Sequence, residues 1–138
     1  MKTTSILTPA LVLMFWTLLV LLMVPIRRFG ALFAKRVVTA DFKYGESANV
    51  PADVALPNRI FMNLVEAPVL FYAIVLIAFV TNGVDHVTVS LAWAYVALRF
   101  VHTLIYFTYN HVIHRFAVFA ASNFLLAGTM LYLGLALL

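Results

Sequence analysis

The sequence contains no cysteine and few charged residues. The lack of cysteine excludes disulfides, thiolate metal sites, iron–sulfur clusters and a protein thiol nucleophile, so any sulfur chemistry needs a thiol supplied by a ligand. Charged residues are 10% and hydrophobic residues 65% of the 138 residues. A soluble domain would have roughly 25% charged and about 45–50% apolar residues. This composition predicts one membrane-embedded domain covering residues 1–138.

Four apolar runs are long enough to cross a membrane. Each has about 20 residues, which at about 1.5 Å per residue covers a hydrocarbon core of about 30 Å. The first run has no small-residue cleavage site, so we interpret it as a retained helix and not as a signal peptide. The sequence therefore predicts an all-α, integral membrane four-helix bundle, with spans at about 6–26, 59–80, 87–108 and 116–138 and a polar loop at 27–58.

The positive charges are distributed unevenly among the loops. The turn that follows residue 80 contains no lysine or arginine, and Arg115 precedes the fourth span. By the positive-inside rule, the first and third loops are cytoplasmic and both termini face away from the cytoplasm. The net charge of +4 thus reflects topology, and we expect no nucleic-acid partner. Five of the nine basic residues lie in the first loop, namely Arg27, Arg28, Lys35, Arg36 and Lys43.

Six polar residues recur at helical spacing on the second and third spans. Each set of three occupies one narrow arc of its helix. A lone charge at mid-membrane costs about 2.5–3.5 kcal/mol. Because Glu66 and Arg99 lie at similar depth, we predict that they form a buried ion pair. The six residues are Arg59, Asn63 and Glu66 on the second span and Arg99, His102 and Tyr106 on the third.

Two interpretations of these six residues remain open. They can serve only as polar contacts between helices, or they can form a site for a small anionic ligand that enters from the cytoplasm. Pro68 is expected to kink the second span and to free backbone acceptors beside Glu66. His111 and His114 lack a third ligand, so we expect them to be solvated at the interface and expect no metal site.

Two motifs resemble the signatures of a known family. "RIFMNLVE" resembles the R-x-x-x-N-x-x-E motif, and "RFVHTLIY" the R-x-x-H-x-x-x-Y motif, of the MAPEG family, the membrane-associated proteins in eicosanoid and glutathione metabolism. The similarity is to the microsomal glutathione transferase and prostaglandin E synthase branches, and it extends from Arg27 to Arg115. It implies a homotrimer that binds glutathione between subunits near the cytoplasmic face. "VEAPVLFY" resembles bacterial members, which implies a bacterial inner membrane.

The resemblance also implies roles for individual residues. Arg115 matches the arginine proposed to stabilise the glutathione thiolate, and it would be the catalytic residue. Phe116 and Phe119 replace hydroxyl-bearing residues that follow this arginine in the prostaglandin synthase branch. The residues that would hold glutathione are Arg27, Arg59, Asn63, Glu66, His102 and Tyr106.

These features lead to three functional hypotheses. The first is a glutathione transferase-like or peroxidase-like membrane enzyme that presents a thiolate to a hydrophobic substrate from the bilayer. The second is a non-catalytic MAPEG-like protein that binds a lipid or another small anion, or uses the polar residues for assembly. The third is a small proton-coupled transporter. Four-helix transporters of this size usually place the glutamate on their first helix without an arginine at its depth, so this hypothesis ranks last.

Overall fold

The computed structural model describes residues 2–138, and its regular structure is helical. Four helical segments are long and apolar enough to cross a membrane, with bounds Thr3–Phe33, Ala52–Val80, His86–Phe107 and Val112–Leu137. The predicted all-α fold with four membrane spans is therefore confirmed. The α-helices are α1 (Leu7–Phe33), α2 (Ala52–Glu66), α3 (Val69–Val80), α4 (His86–Phe107) and α5 (Val112–Leu137).

The second span is interrupted at Pro68, as the sequence predicts. Helix α2 ends at Glu66 and α3 begins at Val69. Proline has no N–H to donate to the carbonyl four residues earlier, so the helical ladder stops there. It resumes where the Tyr72 N–H donates to the Pro68 carbonyl at 3.0 Å. The interruption places the end of α2 in the middle of the second span.

Helices α1 and α2 are both longer than the sequence predicts. Helix α1 continues seven residues past the expected end at 26, and α2 begins seven residues before 59. The added turns bury Ala31 and Val54 in a small second apolar cluster. Polar residues of this loop pair with one another, since Arg28 contacts Glu46 at 2.9 Å and Arg36 contacts Asp53 at 2.8 Å. The sequence did not locate these helix ends because the polarity of residues 27–58 by itself predicts a loop.

Helix α4 lies at the centre of the bundle. Its inner face includes Tyr95, Arg99 and His102, each no more than 3% exposed. Around Tyr95, the main apolar core brings together residues of the other spans, including Leu13, Ile60, Phe71 and Leu126. The polar residues of the third span therefore face the protein interior.

The turn between α3 and α4 is fastened by one carboxylate. Asp85 caps α4 by accepting the Thr88 N–H at 2.7 Å, and its second oxygen accepts the Tyr132 hydroxyl of α5. Asn82 has a left-handed backbone conformation with φ of 54° just past the end of α3, and the next N–H, of Gly83, donates to the Ala78 carbonyl at 2.9 Å. The Thr88 N–H, and then the Tyr132 hydroxyl, lower the pKa of Asp85 from its ordinary value because both bonds favour the charged form.

Replacing this cap should cost stability in a pH-dependent way. Asp85→Ala is expected to lower the free energy of unfolding by about 0.5–2 kcal/mol at neutral pH, the usual cost of a lost N-cap. Because the pKa of Asp85 is lower in the folded protein, the charge-dependent part of its contribution is complete above the unfolded pKa and is lost as pH falls through the folded pKa. The difference in melting temperature between wild type and Asp85→Ala in detergent should therefore narrow in that acid range. Asp85→Asn, which still caps but does not titrate, is the control. A gap between wild type and Asp85→Ala that stays constant into acid would contradict the role of the charge.

Candidate functional site

Arg99 is a fully buried cation between α4 and α2. Its Nη2 donates to the Asn63 carbonyl oxygen at 3.0 Å and also to the Asn63 side-chain oxygen Oδ1. The same Asn63 carbonyl accepts the Ala67 N–H at 3.3 Å, in the last hydrogen bond before the break at Pro68. One asparagine therefore supplies two oxygens to the guanidinium, and hydrogen bonds to a charged donor are among the strong ones.

The ion pair predicted between Glu66 and Arg99 does not form within residues 2–138, where Arg99 contacts Asn63 instead. Within residues 2–138 the ion pairs are Arg28–Glu46 and Arg36–Asp53, and Glu66 is exposed on the outside of the bundle. Burying Glu66 would add the desolvation cost of a second ion, several kcal/mol in proteins. Asn63 provides acceptors to Arg99 without that cost. The sequence spacing could not distinguish these two partners, since both lie on the same arc of α2.

A pocket of about 240 Å³ opens among α2, α4 and α5. One part of its wall is polar, with an amide, an imidazole, a phenol and a guanidinium, and the rest is apolar. Four of the predicted site residues thus lie together around one cavity. The polar residues are Asn63, His102, Tyr106 and Arg115, and the apolar ones are Val112, Phe116 and Phe119.

Arg115 is held in a defined position beside this pocket. Its Nη1 donates to the Asn110 side-chain oxygen Oδ1 at 2.6 Å. The central carbon of its guanidinium lies over the Tyr106 ring, 4.1 Å from the ring centroid. The contact of a cation with an aromatic face is attractive because the ring carries negative charge density on its faces. The His102 ring lies 6.0 Å from the Tyr106 ring and also 6.0 Å from the Phe119 ring, between centroids.

Three predicted site residues lie elsewhere. Arg27, Arg59 and Glu66 are exposed on the outer surface of the chain, and none of them lines the pocket. A single chain therefore brings together only part of the residue set that the two motifs define. His111 and His114 lie with ring centroids 4.4 Å apart, but residues 2–138 contain no group of three potential metal ligands around them.

Two residues at the site, Asn110 and Val112, were not identified from the sequence. Asn110 lies in the short connection between α4 and α5, and its backbone is left-handed with φ of 45°. The available signal was the "YNH" stretch, because an asparagine just past a helix end often adopts this conformation and closes the helix. Val112 carries no signal of its own, since any apolar residue at the start of the fourth span looks alike in sequence.

The fold and the pocket define a class of protein. The chain is an integral membrane protein of four helical spans, with a pocket that is part polar and part apolar among three of its helices. The profile of the MAPEG family matches residues 6–135, and the chain belongs to this family. No curated protein and no solved structure matches the chain. The family resemblance found in the two motifs is thus confirmed.

The contact between Asn63 and Arg99 can be measured by a double-mutant cycle. Asn63→Leu should destabilise the protein by about 1.5–3 kcal/mol, because it removes an acceptor from a buried charge. Arg99→Met in the Asn63→Leu background should recover part of this loss, since the cation is then gone. The measurement is the thermal unfolding of each variant in detergent.

The matched control repeats the double-mutant cycle with Glu66, the partner of Arg99 that the sequence spacing favoured. Glu66→Gln combined with Arg99→Met should give additive losses, because these two side chains do not meet within the chain. Strong coupling of Glu66 with Arg99, together with additivity for Asn63 and Arg99, would contradict the observed pairing.

Proposed function

We propose that the protein is a glutathione-dependent membrane enzyme of transferase or peroxidase type. It would present the glutathione thiolate to hydrophobic substrates that arrive from the bilayer. The observation that supports this most directly is the composition of the pocket. A guanidinium, a phenol, an imidazole and an amide form one part of its wall, and three apolar side chains form the other. A polar, anionic thiol compound and an apolar second substrate can therefore meet in one cavity.

The chemistry assigned to Arg115 follows from its permanent charge. A free thiol has a pKa of about 8.5 and is mostly protonated at neutral pH. A guanidinium stays protonated throughout the physiological range, and a fixed positive charge nearby favours the thiolate. In the transferase reaction the thiolate sulfur forms a bond to an electrophilic carbon of the substrate, and the leaving group departs with its electron pair. Phe116 and Phe119 would seat the apolar part of that substrate.

The exposed charged residues suggest how the site is completed. Arg59 and Glu66 lie on the outward face of α2, within a segment long and apolar enough to span the membrane. Charged groups facing lipid at that depth are costly, so a covering surface is expected. In a homotrimer, Arg27 and Arg59 would bind the carboxylates of glutathione and Glu66 its ammonium group, next to the pocket of a neighbouring subunit. The proposed location is a bacterial inner membrane with the first and third loops in the cytoplasm.

A second candidate is a non-catalytic protein that binds a lipid or a small anion in the same pocket. The apolar wall of the pocket favours this alternative. Phe116 and Phe119 stand where hydroxyl-bearing residues follow the thiolate arginine in the prostaglandin synthase branch that the chain resembles. The two candidates differ in one measurable property, because only the enzyme must lower the pKa of the bound thiol.

The assembly can be tested directly. Native mass measurement in detergent or nanodiscs should give three copies of the chain. Glutathione affinity should be lost when the trimer is dissociated, because the residues assigned to the two ends of the ligand would then be separated. A stable monomer that binds glutathione as tightly as the trimer would contradict a site between subunits.

Substitution of Arg115 should impair the reaction and leave glutathione binding largely intact. Arg115→Leu is expected to change glutathione affinity only a few-fold, to raise the pKa of the bound thiol by about one unit or more, and to abolish conjugation of a hydrophobic electrophile. Arg59→Leu or Glu66→Gln should instead weaken binding by about 1.5–3 kcal/mol, the usual cost of a lost hydrogen bond to a charged group. The pKa is measured by the ultraviolet absorbance of the thiolate across a pH series.

The control is an arginine of the same chain that lies outside the pocket. Arg36 pairs with Asp53 on the surface at 2.8 Å, and Arg36→Leu should leave both glutathione affinity and thiol pKa unchanged. If Arg115→Leu binds glutathione with an unchanged thiol pKa, the proposed catalytic role of Arg115 is wrong. If wild type binds glutathione with the thiol pKa of the free compound, the binding protein is favoured. If wild type binds no glutathione, both the proposed ligand and the proposed reaction are wrong.

A further inference from the structure

Asn110 lies in the short connection between α4 and α5, just past the end of α4. The Asn110 N–H donates to the Ile105 carbonyl at 2.8 Å, which closes the last turn of the helix. The backbone of Asn110 itself is left-handed, with φ of 45°. Asparagine tolerates this conformation better than most other residues that have a Cβ atom.

The side chain of Asn110 has a separate contact, with Arg115. Its Oδ1 accepts an N–H of Arg115 Nη1 at 2.6 Å, while the central carbon of the same guanidinium lies over the Tyr106 ring, 4.1 Å from its centroid. The guanidinium is therefore restrained by two contacts, one with the amide and one with the ring. Arginine loses about 2 kcal/mol of rotamer entropy when it is fixed, so an unsupported Arg115 would sample many positions at the pocket edge.

The chemical nature of the acceptor matters as much as its position. A carboxylate at residue 110 would orient Arg115 equally well, but its negative charge would offset the positive charge of the guanidinium. A neutral amide orients the group and leaves its net charge available to a ligand. Asn110 uses one of the five N–H donors of Arg115.

We propose that Asn110 is a positioning residue that holds the Arg115 guanidinium over Tyr106 at the pocket, so that its uncompensated charge lowers the pKa of the bound thiol. This inference rests on the proposed function of Arg115. Asn110 acts through Arg115 and need not touch the substrate.

The test uses a substitution that keeps the backbone and removes the amide. Asn110→Gly preserves the left-handed conformation, because glycine has no Cβ penalty there. Glutathione affinity should stay within about twofold, while the pKa of the bound thiol should rise by part of the shift seen in Arg115→Leu. A rise of about one unit would lower the thiolate fraction, and with it kcat, about tenfold where most of the bound thiol is protonated. The KM for glutathione should change little.

Two further variants distinguish positioning from a general structural effect. Asn82→Gly makes the same change in the turn between α3 and α4, where the backbone is also left-handed with φ of 54°. The Asn82 side chain makes no hydrogen bond within residues 2–138, so the thiol pKa should not change in this variant. Asn110→Gly combined with Arg115→Leu should raise the pKa no further than Arg115→Leu alone.

The outcomes separate the inference from the function on which it rests. If Arg115→Leu raises the thiol pKa and Asn110→Gly does not, Asn110 has no positioning role and the proposed enzyme stands. If Asn110→Gly does not fold, Asn110→Asp decides, because it keeps the acceptor and adds a charge. Asn110→Asp should then raise the thiol pKa nearly as far as Arg115→Leu does, and an unchanged pKa would overturn the inference. If Arg115→Leu itself has no effect on the pKa, both proposals fail together.

Discussion

The burial of Arg99 is the constraint on which the arrangement of the site depends. A cation at mid-membrane costs several kcal/mol unless polar groups surround it, and Arg99 has no exposed surface. Asn63 meets part of this need from the last turn of α2, where its carbonyl and its amide oxygen both accept from Arg99 Nη2. Within residues 2–138, Nε and Nη1 of Arg99 have no hydrogen-bond partner. Holding α2 against α4 in this way fixes which face of α4 points inward. His102 and Tyr106, three and seven residues after Arg99, thereby reach the pocket.

The two arginines near the pocket are both held by uncharged side chains. Arg99 is held by Asn63 and Arg115 by Asn110, so each guanidinium has a neutral amide as its acceptor. Arg99 also lies 5.8 Å from the Phe119 ring, which lines the pocket. No carboxylate within residues 2–138 pairs with either cation. The positive charge that remains suits an anionic ligand, and preorganised charges of this kind act most strongly where water is excluded.

Comparison of particular elements shows where sequence reasoning succeeds. Long apolar runs predicted the four spans, since only helices and closed barrels satisfy the backbone in hydrocarbon. Pro68 predicted the break in the second span from its missing N–H. The periodicity of Asn63, His102 and Tyr106 predicted that these side chains lie close together, and they line one pocket. The ends of α1 and α2 were wrong by seven residues each, because the pairing of Arg28 with Glu46 and of Arg36 with Asp53 cannot be read from spacing.

The sequence by itself determined the class of protein, the number of spans, the family and the helix faces that carry polar residues. The family was indicated by the resemblance of two motifs, whereas the class, the number of spans and the polar faces depend on hydrophobicity and helical period, which are local and additive along the chain. Only the tertiary structure decided that Arg99 pairs with Asn63, that Glu66 stays on the outer surface, and that Asn110 holds Arg115 against Tyr106. These choices depend on the rotation of each helix about its axis and on the conformation of a short connection. Both are fixed by packing between elements that are distant in sequence. Asn63 and Glu66 lie on the same arc of α2, so the helical pattern could not show which of them contacts Arg99.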